Sequence, residues 1–147
     1  MDNVEISLMN NTDFEAISPI LSSEFDDFWS TNTLKEELQN ENSTYIVAKI
    51  NQEIVGYAGI WKSVDDVHIT DIVVKKNYRQ KGIGSTLLQE LISLTKKMNY
   101  KELTLEVNAK NDPAKKLYLK YGFKELGIRK NYYHNTEDAI IMTLYID

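Results

Sequence analysis

The sequence contains no cysteine, only two histidines and no long apolar run. Without cysteine, the chain can form no disulfide, bind no zinc through thiolates and use no thiol nucleophile. His68 and His134 are too few for a structural zinc site, and we predict that no metal is bound. No stretch approaches the roughly 20 apolar residues that span a bilayer, and the first residues lack the pattern of a signal peptide. We therefore expect a cytoplasmic protein that does not contact a membrane.

Acidic and basic residues are distributed unequally along the chain. Residues 1–71 hold 14 acidic and 3 basic residues, whereas residues 72–147 hold 8 acidic and 14 basic residues. This polarity suits two unlike ligands, an anion on the C-terminal half and a cation on the N-terminal half, although solvated surface charge explains it equally well. The net charge of −5 argues against general binding of nucleic acid.

The pattern of residues predicts a single α/β domain covering residues 1–147. We expect strands at 4–9, 44–50, 54–61, 67–74, 103–107, 123–133 and 137–145, and helices at 12–24, 32–39, 85–99 and 113–121. Thr12 and Asp112 are expected as N-caps, and Gly122 as a left-handed C-terminal cap. Three consecutive apolar residues, 72–74, should be buried on both faces of the sheet.

A glycine-bearing loop, Arg79–Gly84, joins the strand at 67–74 to the helix at 85–99. Its glycines allow a ligand to approach the main chain, and the helix that follows offers free N–H groups to a phosphate. Lys75 and Lys76 add positive charge nearby. The loop lacks the third glycine of a dinucleotide motif and the Gly-Lys-Ser/Thr of a P-loop. On these residues alone, both phosphate binding and an ordinary turn remain open.

Two segments carry a resemblance to a known family. Tyr78–Gly84, after an Ile-Val-Val strand, resembles the R/Q-x-x-G-x-G/A signature of GNAT acetyltransferases. Asn111, opening a helix that ends in Leu117–Phe123, is similar to a second block of that family. The resemblance covers essentially the whole chain. It implies the GNAT fold, with a central mixed, mostly antiparallel sheet of about seven strands, flanked by four helices and splayed between strands 4 and 5. It also implies acetyl-CoA as co-substrate.

Within this superfamily the chain resembles the RimI type, which acetylates the N-terminus of a ribosomal protein. The similar segments are Leu105–Asn111, Arg129–Tyr133 and Glu137–Met142. The sequence departs from the type at three positions: Asn108 stands where arginine is frequent, and Phe28 and His134 stand where proline is common. The resemblance implies that the acceptor is the N-terminal α-amine of a ribosomal protein, the eighteenth of the small subunit.

The resemblance also assigns roles to individual residues. Glu106 would be the general base, although the strand pattern alone favours a solvated glutamate. Tyr118 would be the general acid that protonates the leaving thiolate, although a tyrosine on a short helix commonly packs its ring in the core. The residues expected to bind the cofactor are Ile72, Val73, Val74, Arg79, Gln80, Lys81, Gly82, Ile83, Gly84, Ser85 and Asn111. The main-chain N–H of Val74 would polarise the thioester.

Acceptor recognition is expected to involve aromatic and acidic residues. Trp29, Tyr132 and Tyr133 would bind the substrate, and the acidic residues Glu24, Asp26 and Asp27 would attract a basic peptide. One alternative is a GNAT enzyme for a small amine or a lysine side chain. Another is an inactive CoA-binding sensor, against which the presence of both Glu106 and Tyr118 argues. We expect a monomer or weak dimer whose partner is a protein N-terminus.

Overall fold

The computed structural model describes residues 3–25, 31–133 and 137–147, and the side chains within these ranges other than those of residues 31–32 and 131–133. The elements in chain order are β1 (Glu5–Leu8), α1 (Asn11–Ile17), a 3₁₀ turn (Ser18–Ile20), α2 (Leu21–Phe25), α3 (Thr31–Gln39), β2 (Ser43–Ile50), β3 (Glu53–Lys62), β4 (Val67–Val74), a 3₁₀ turn (Lys76–Tyr78), α4 (Ile83–Lys97), β5 (Glu102–Asn108), α5 (Asp112–Lys120), β6 (Lys124–Tyr133) and β7 (Glu137–Tyr145). The predicted order of elements is confirmed, since α1, the first 3₁₀ turn and α2 follow one another without a break.

The strands follow the order β1-β2-β3-β4-β5-β7-β6 in one seven-stranded sheet. The pairs β1–β2, β2–β3, β5–β7 and β6–β7 are antiparallel, whereas β4 and β5 are parallel. The parallel register joins Val67 to Leu103 and His68 to Thr104, at the start of both strands. The predicted mixed, mostly antiparallel sheet is thereby confirmed.

The chain divides into two compact units. The first unit comprises Met1–Trp61 and Thr70–Ser93, and the second comprises Lys62–Ile69 and Leu94–Asp147. The expectation that residues 1–147 act as one domain stays a prediction.

The core of the first unit forms where the N-terminal helices pack on the strands β2 and β3. The fully or nearly fully buried members of this cluster are Ile17, Leu21, Phe25, Leu34, Tyr45, Val47 and Tyr57. The rings of Phe25 and Tyr57 lie 5.7 Å apart in a tilted arrangement. Each such side chain contributes roughly 1.5–3 kcal/mol through burial, so this cluster fixes α2 on the sheet.

A glycine makes room for one of these rings. Gly59 lies opposite Tyr45 in the β2–β3 register, and a β-carbon on Gly59 would come within 2.3 Å of the Tyr45 ring. The Tyr45 hydroxyl lies 3.1 Å from Oγ1 of Thr70. The ring is therefore held across β3 at Gly59, where no side chain obstructs it.

Two expected helix caps are wrong by one or two residues. Asn10, rather than Thr12, caps α1: its side chain accepts from the N–H of Asp13, and the Asp13 carboxylate accepts from the N–H of Asn10. Asn111, rather than Asp112, caps α5. In both places two candidate caps stand close together, and sequence spacing does not rank them. The left-handed cap at Gly122 is confirmed, with φ of 96°.

The core of the second unit is built on β5 and β7. Leu103, Leu105 and Val107 are buried, as is Met142, which lies opposite Leu105 in the register. On the other face of β5, the hydroxyl of Thr104 lies 2.9 Å from that of Thr143 and donates to the carbonyl of Met142. Alternation along β5 places Glu106 on this second face with Thr104.

Candidate active site

The end of β4 presents its main chain in two directions. The N–H of Lys75 donates to the carbonyl of Val55 on β3, at 2.8 Å. Because main-chain groups alternate along a strand, those of Val73 also point toward β3, and those of Ile72 and Val74 point to the opposite edge. All three residues are half-buried, so the expectation that they are buried on both faces is wrong. Ile72 can thus offer its main-chain groups to a ligand and Val74 its N–H, because the Val74 carbonyl accepts from Arg79, whereas the main-chain groups of Val73 point toward β3.

The glycine loop has open space beside Gly82 and is joined to the first turn of α4. Gly82 has φ of 83°, and a β-carbon placed on it would meet no atom within 4 Å. Its carbonyl accepts the first main-chain bond of α4, from Thr86 at 3.1 Å. The N–H groups of Ile83, Gly84 and Ser85 therefore precede the first intrahelical bond. The buried side chain of Ile83 fixes this 15-residue helix at its start.

These features fit a diphosphate. Open space over Gly82 admits a bulky anion, and a nest of N–H groups at the positive end of a helix dipole attracts it. Gln80 has φ of 63°, so the chain turns sharply before the glycine. The ammonium of the exposed Lys81 lies 5.4 Å from the centre of the Tyr78 ring, beside the loop. The loop therefore has the geometry to hold a diphosphate mainly through its main chain.

Two cations next to the loop already have partners within the first unit. Lys75 lies 3.0 Å from Glu24 and 2.7 Å from Glu53. The hydrogen bonds that Lys75 donates to Glu53, and then to Glu24, raise the pKa of Lys75 above its ordinary value of 10.5. The hydrogen bond from Lys75 lowers the pKa of Glu53 below 4.5, and the hydroxyl of Tyr78 adds to this. Lys75 is therefore a structural cation rather than one reserved for phosphate.

The guanidinium of Arg79 also bonds to the protein. Its Nε donates to the carbonyl of Val74 at 3.0 Å, and its Nη2 donates to the carbonyl of Phe25 at 3.1 Å. These contacts join the loop to the last residue of α2. A direct contact between Arg79 and the cofactor stays a prediction.

In the second unit, Glu106 lies on β5 opposite Ile141 of β7. Its Oε1 is 3.3 Å from Nη2 of Arg129 on β6, and its Oε2 is shielded from solvent. The side chain is 28% exposed, so the carboxylate is neither in the core nor freely solvated. A half-buried carboxylate on the face opposite Leu105 agrees with the expected direction of Glu106.

Tyr118 lies on α5, with its ring packed edge-on against Phe123 at 5.6 Å. The carbonyl of Tyr118 accepts from the N–H groups of Tyr121 and Phe123, so the Leu-Tyr-x-x-Tyr-Gly-Phe segment closes the end of the helix around it. Its ring is half-buried. The packing fixes the ring, and its role as acid stays a prediction.

Asn111 has a structural task at the start of α5. Its Oδ1 accepts from the N–H of Ala114 at 3.2 Å, while its amide nitrogen carries two further donors. The side chain is exposed, so these donors are accessible to a ligand.

Several predicted acceptor residues lie outside the described part of the chain. These are Asp26, Asp27 and Trp29, together with the side chains of Tyr132 and Tyr133 on β6. Glu24 is described, and its carboxylate pairs with Lys75. Within residues 3–25, 31–133 and 137–147, no group of three or more histidine, aspartate or glutamate side chains could hold a metal ion. No helix in these ranges is long and apolar enough to cross a membrane.

The sequence did not predict the ion pairs of Arg129 with Glu106 or of Lys75 with Glu24 and Glu53. Arg129 was noted only as part of a motif, and Lys75 only as a positive charge near the loop. The register of β5, β7 and β6 places Glu106, Ile141, Ala139 and Arg129 on one face. A correct alignment of these three strands is the signal that would have paired Arg129 with Glu106.

Comparison with known proteins identifies the family. The model of the acetyltransferase (GNAT) family matches residues 14–123. A protein of Bacillus subtilis (strain 168), provisionally named ribosomal protein bS18-alanine N-acetyltransferase, is 38% identical over 141 residues, covering 95% of this chain and 93% of that protein.

Solved structures agree with this. The crystal structure of the ribosomal-protein-S18-alanine N-acetyltransferase from Escherichia coli aligns with a TM-score of 0.89 and 33% identity, covering 99% of this chain and 95% of that one. A GNAT family acetyltransferase from Elizabethkingia anophelis, solved with acetyl-CoA bound, aligns with a TM-score of 0.82 and 25% identity, covering 99% of this chain and 100% of that one. The expected fold and co-substrate are confirmed. The chain therefore belongs to the GNAT family and is an acetyl-CoA-dependent N-acetyltransferase.

Proposed function

We propose that this acetyltransferase modifies the α-amine of the N-terminal alanine of ribosomal protein bS18, in the cytoplasm where ribosomal proteins are made. The observation that supports this acceptor is similarity over nearly the full length to proteins named for it, at 38% identity in one relative and 33% in a solved structure. The acceptor is thus a protein N-terminus rather than nucleic acid or a membrane. The enzyme acts as a monomer or weak dimer.

We infer that the first unit holds the donor. The N–H groups around Gly82 and Gly84 bind the pyrophosphate of acetyl-CoA, and the main chain of Ile72 and Val74 binds its pantetheine arm. The open space over Gly82 and the direction of the β4 main chain support these roles. The N–H of Val74 polarises the thioester carbonyl, a contribution of about 3 kcal/mol for one well-placed donor.

Glu106 and Tyr118 perform the proton transfers in this proposal. An α-amine has a pKa of about 7.7–8.0, so much of it is protonated at neutral pH. Glu106 takes the proton directly or through water, and the neutral nitrogen attacks the thioester carbon. The C–N bond forms, the C–S bond breaks, and the Tyr118 hydroxyl protonates the departing thiolate. No acyl-enzyme is formed, which suits a chain without cysteine.

Acceptor recognition is assigned to both ends of the chain. Trp29, with the acidic residues Asp26 and Asp27, contacts the basic peptide, and Tyr132 and Tyr133 enclose its first residue. The excess of acidic residues in the N-terminal half supports this assignment.

Intact-mass measurement tests the acceptor. The enzyme is incubated with acetyl-CoA and bS18, and separately with peptides that begin with alanine, serine or methionine, with spermidine and with free lysine. We expect a gain of one acetyl group on bS18 and on the alanine peptide. Acetylation of spermidine or lysine alone would replace this proposal with the small-amine alternative. Binding of coenzyme A without acetylation of any amine would favour the alternative of an inactive CoA-binding sensor.

A further inference from the structure

Two cations that follow β4 both reach the last turn of α2. The Lys75 ammonium pairs with the Glu24 carboxylate at 3.0 Å, and Nη2 of Arg79 donates to the Phe25 carbonyl at 3.1 Å. Arg79 and Phe25 are 54 residues apart in the chain. One contact is therefore side chain to side chain, and the other is side chain to main chain, on successive residues of the same helical turn.

Each cation makes two contacts at once. Lys75 is only 11% exposed and holds a second carboxylate, that of Glu53, at 2.7 Å. Arg79 grips two carbonyls at once, because its Nε bonds to Val74 while its Nη2 bonds to Phe25. The Phe25 carbonyl belongs to a helix C-terminus, where carbonyls lack intrahelical donors and favour a cation.

The main chain of Lys75 also holds the segment that leads into the glycine loop. The Lys75 N–H bonds to Val55 on β3, and the Lys75 carbonyl accepts from the N–H of Tyr78, which starts the turn leading to Gly82. On the other side, the chain after Phe25 continues directly into the acidic and aromatic residues proposed to contact the acceptor. The cations thus connect the donor loop to the point where the acceptor segment begins.

We propose that Lys75 and Arg79 form a two-point clamp that fixes the end of α2 on the pyrophosphate loop and couples acetyl-CoA binding to acceptor binding. Both are positioning residues in this role. The inference rests on the proposed function for its acceptor, but the link between the loop and α2 is testable with coenzyme A alone.

The clamp makes a prediction opposite in sign to that of direct attraction. If Glu24 attracts the basic peptide directly, removing Lys75 releases the Glu24 carboxylate from its ion pair, and the peptide binds more tightly. If the clamp positions α2, removing Lys75 weakens peptide binding. Lys75→Met therefore separates the two roles, and Lys75→Arg, which keeps the charge, restores the wild-type value in the clamp case.

The first test measures steady-state kinetics with an alanine-initiated bS18 peptide. We expect Lys75→Met and Glu24→Gln to raise the peptide KM about fivefold, a coupling of ordinary size, with kcat changed less than twofold. Glu53→Gln is the matched control, because it removes a carboxylate from the same lysine but leaves the contact with α2. Lys35→Met, at an exposed site on α3, controls for the lost charge. An unchanged or lowered KM in Lys75→Met overturns the clamp.

The second test needs no acceptor. Hydrogen exchange of residues 21–25 is followed with and without saturating coenzyme A. We expect coenzyme A to slow exchange there in the wild type and in Glu53→Gln, but not in Lys75→Met. Equal slowing in all three variants overturns the clamp. If the wild type acetylates no bS18 peptide but shows this pattern, the proposed function fails and the clamp stands.

Discussion

The two units supply different kinds of chemical group. In the first unit, Lys75 pairs with two carboxylates and Arg79 bonds to two main-chain carbonyls, and the groups proposed to meet the ligand are main-chain N–H groups. In the second unit, the proposed groups are the side chains of Glu106 and Tyr118, and the main chain is occupied by strand and helix bonds. In the proposed mechanism, donor binding therefore depends on backbone geometry, whereas proton transfer depends on side-chain identity.

The largest effect that would sharpen this contrast is expected at Glu106. Glu106→Gln removes the base but keeps the size and an oxygen that can accept from Arg129, so kcat/KM should fall about 10²–10⁴-fold while the Kd for coenzyme A is unchanged. Glu102→Gln is the matched control, because Glu102 lies four residues earlier on the same face of β5. Steady-state kinetics and calorimetry measure the two quantities. Near-normal turnover in Glu106→Gln would show that Glu106 is not the general base.

A second effect, somewhat smaller, is expected at the loop. Gly82→Val places a β-branched residue at φ of 83° and fills the open space above the loop, so affinity for coenzyme A should fall about tenfold to a hundredfold. Gly84→Ala should lose less, because its β-carbon would meet only Val74 at 3.9 Å. Calorimetric titration gives both values. Equal affinity of the wild type and Gly82→Val for coenzyme A would contradict the proposal that the main chain of the loop binds the donor.

Whether a feature of the fold or the site could be predicted from the sequence depends on how far apart in the chain the contacting residues are. The bounds of β4 at Val67–Val74 and the cap at Gly122 were predicted correctly, because local alternation and a glycine after a helix determine them. The cap of α1 was misplaced, because Asn10 and Thr12 both begin a plausible capping pattern. The contacts of Lys75 and Arg79 with α2 were not predicted, since a bond between Arg79 and Phe25 across 54 residues leaves no local pattern in the sequence.

A third, structural effect compares a glycine from each unit. Gly59→Ala should destabilise the fold by about 1–3 kcal/mol, because its methyl group would overlap the buried Tyr45 ring. Gly127→Ala on β6 is the control, since its nearest neighbour would be Ile141 at an ordinary 3.8 Å. Urea unfolding measures both. A stable Gly59→Ala variant would mean that the Tyr45 ring is free to move aside.

The smallest effect concerns pH. The pKa of Glu53 is lowered from 4.5, so its ion pair stabilises the fold above that value and is lost as pH falls through the lower folded pKa. The pKa of Lys75 is raised from 10.5, so its contribution is full below 10.5 and is lost at higher pH. Because Glu53 is 46% exposed, the effect should stay below about 1 kcal/mol.

Urea unfolding between pH 7 and pH 3 tests this. The wild type should lose slightly more stability on acidification than Glu53→Gln, which lacks the titrating group. A steeper acid loss in Glu53→Gln than in the wild type would reverse the assigned direction of the shift.

The hydroxyl pair of Thr104 and Thr143 bears on how faithfully the acetyltransferase is assembled. A slip of one residue between β5 and β7 would turn Glu106 into the apolar core and bring Leu105 or Val107 to its place. The same slip would separate the two hydroxyls, because Thr104 would then lie opposite Met142 or Leu144 and Thr143 opposite Leu103 or Leu105. The threonine pair, of which Thr104 lies two positions from Glu106, thus disfavours misaligned pairing of β5 with β7 and so keeps the Glu106 carboxylate on the face opposite Leu105.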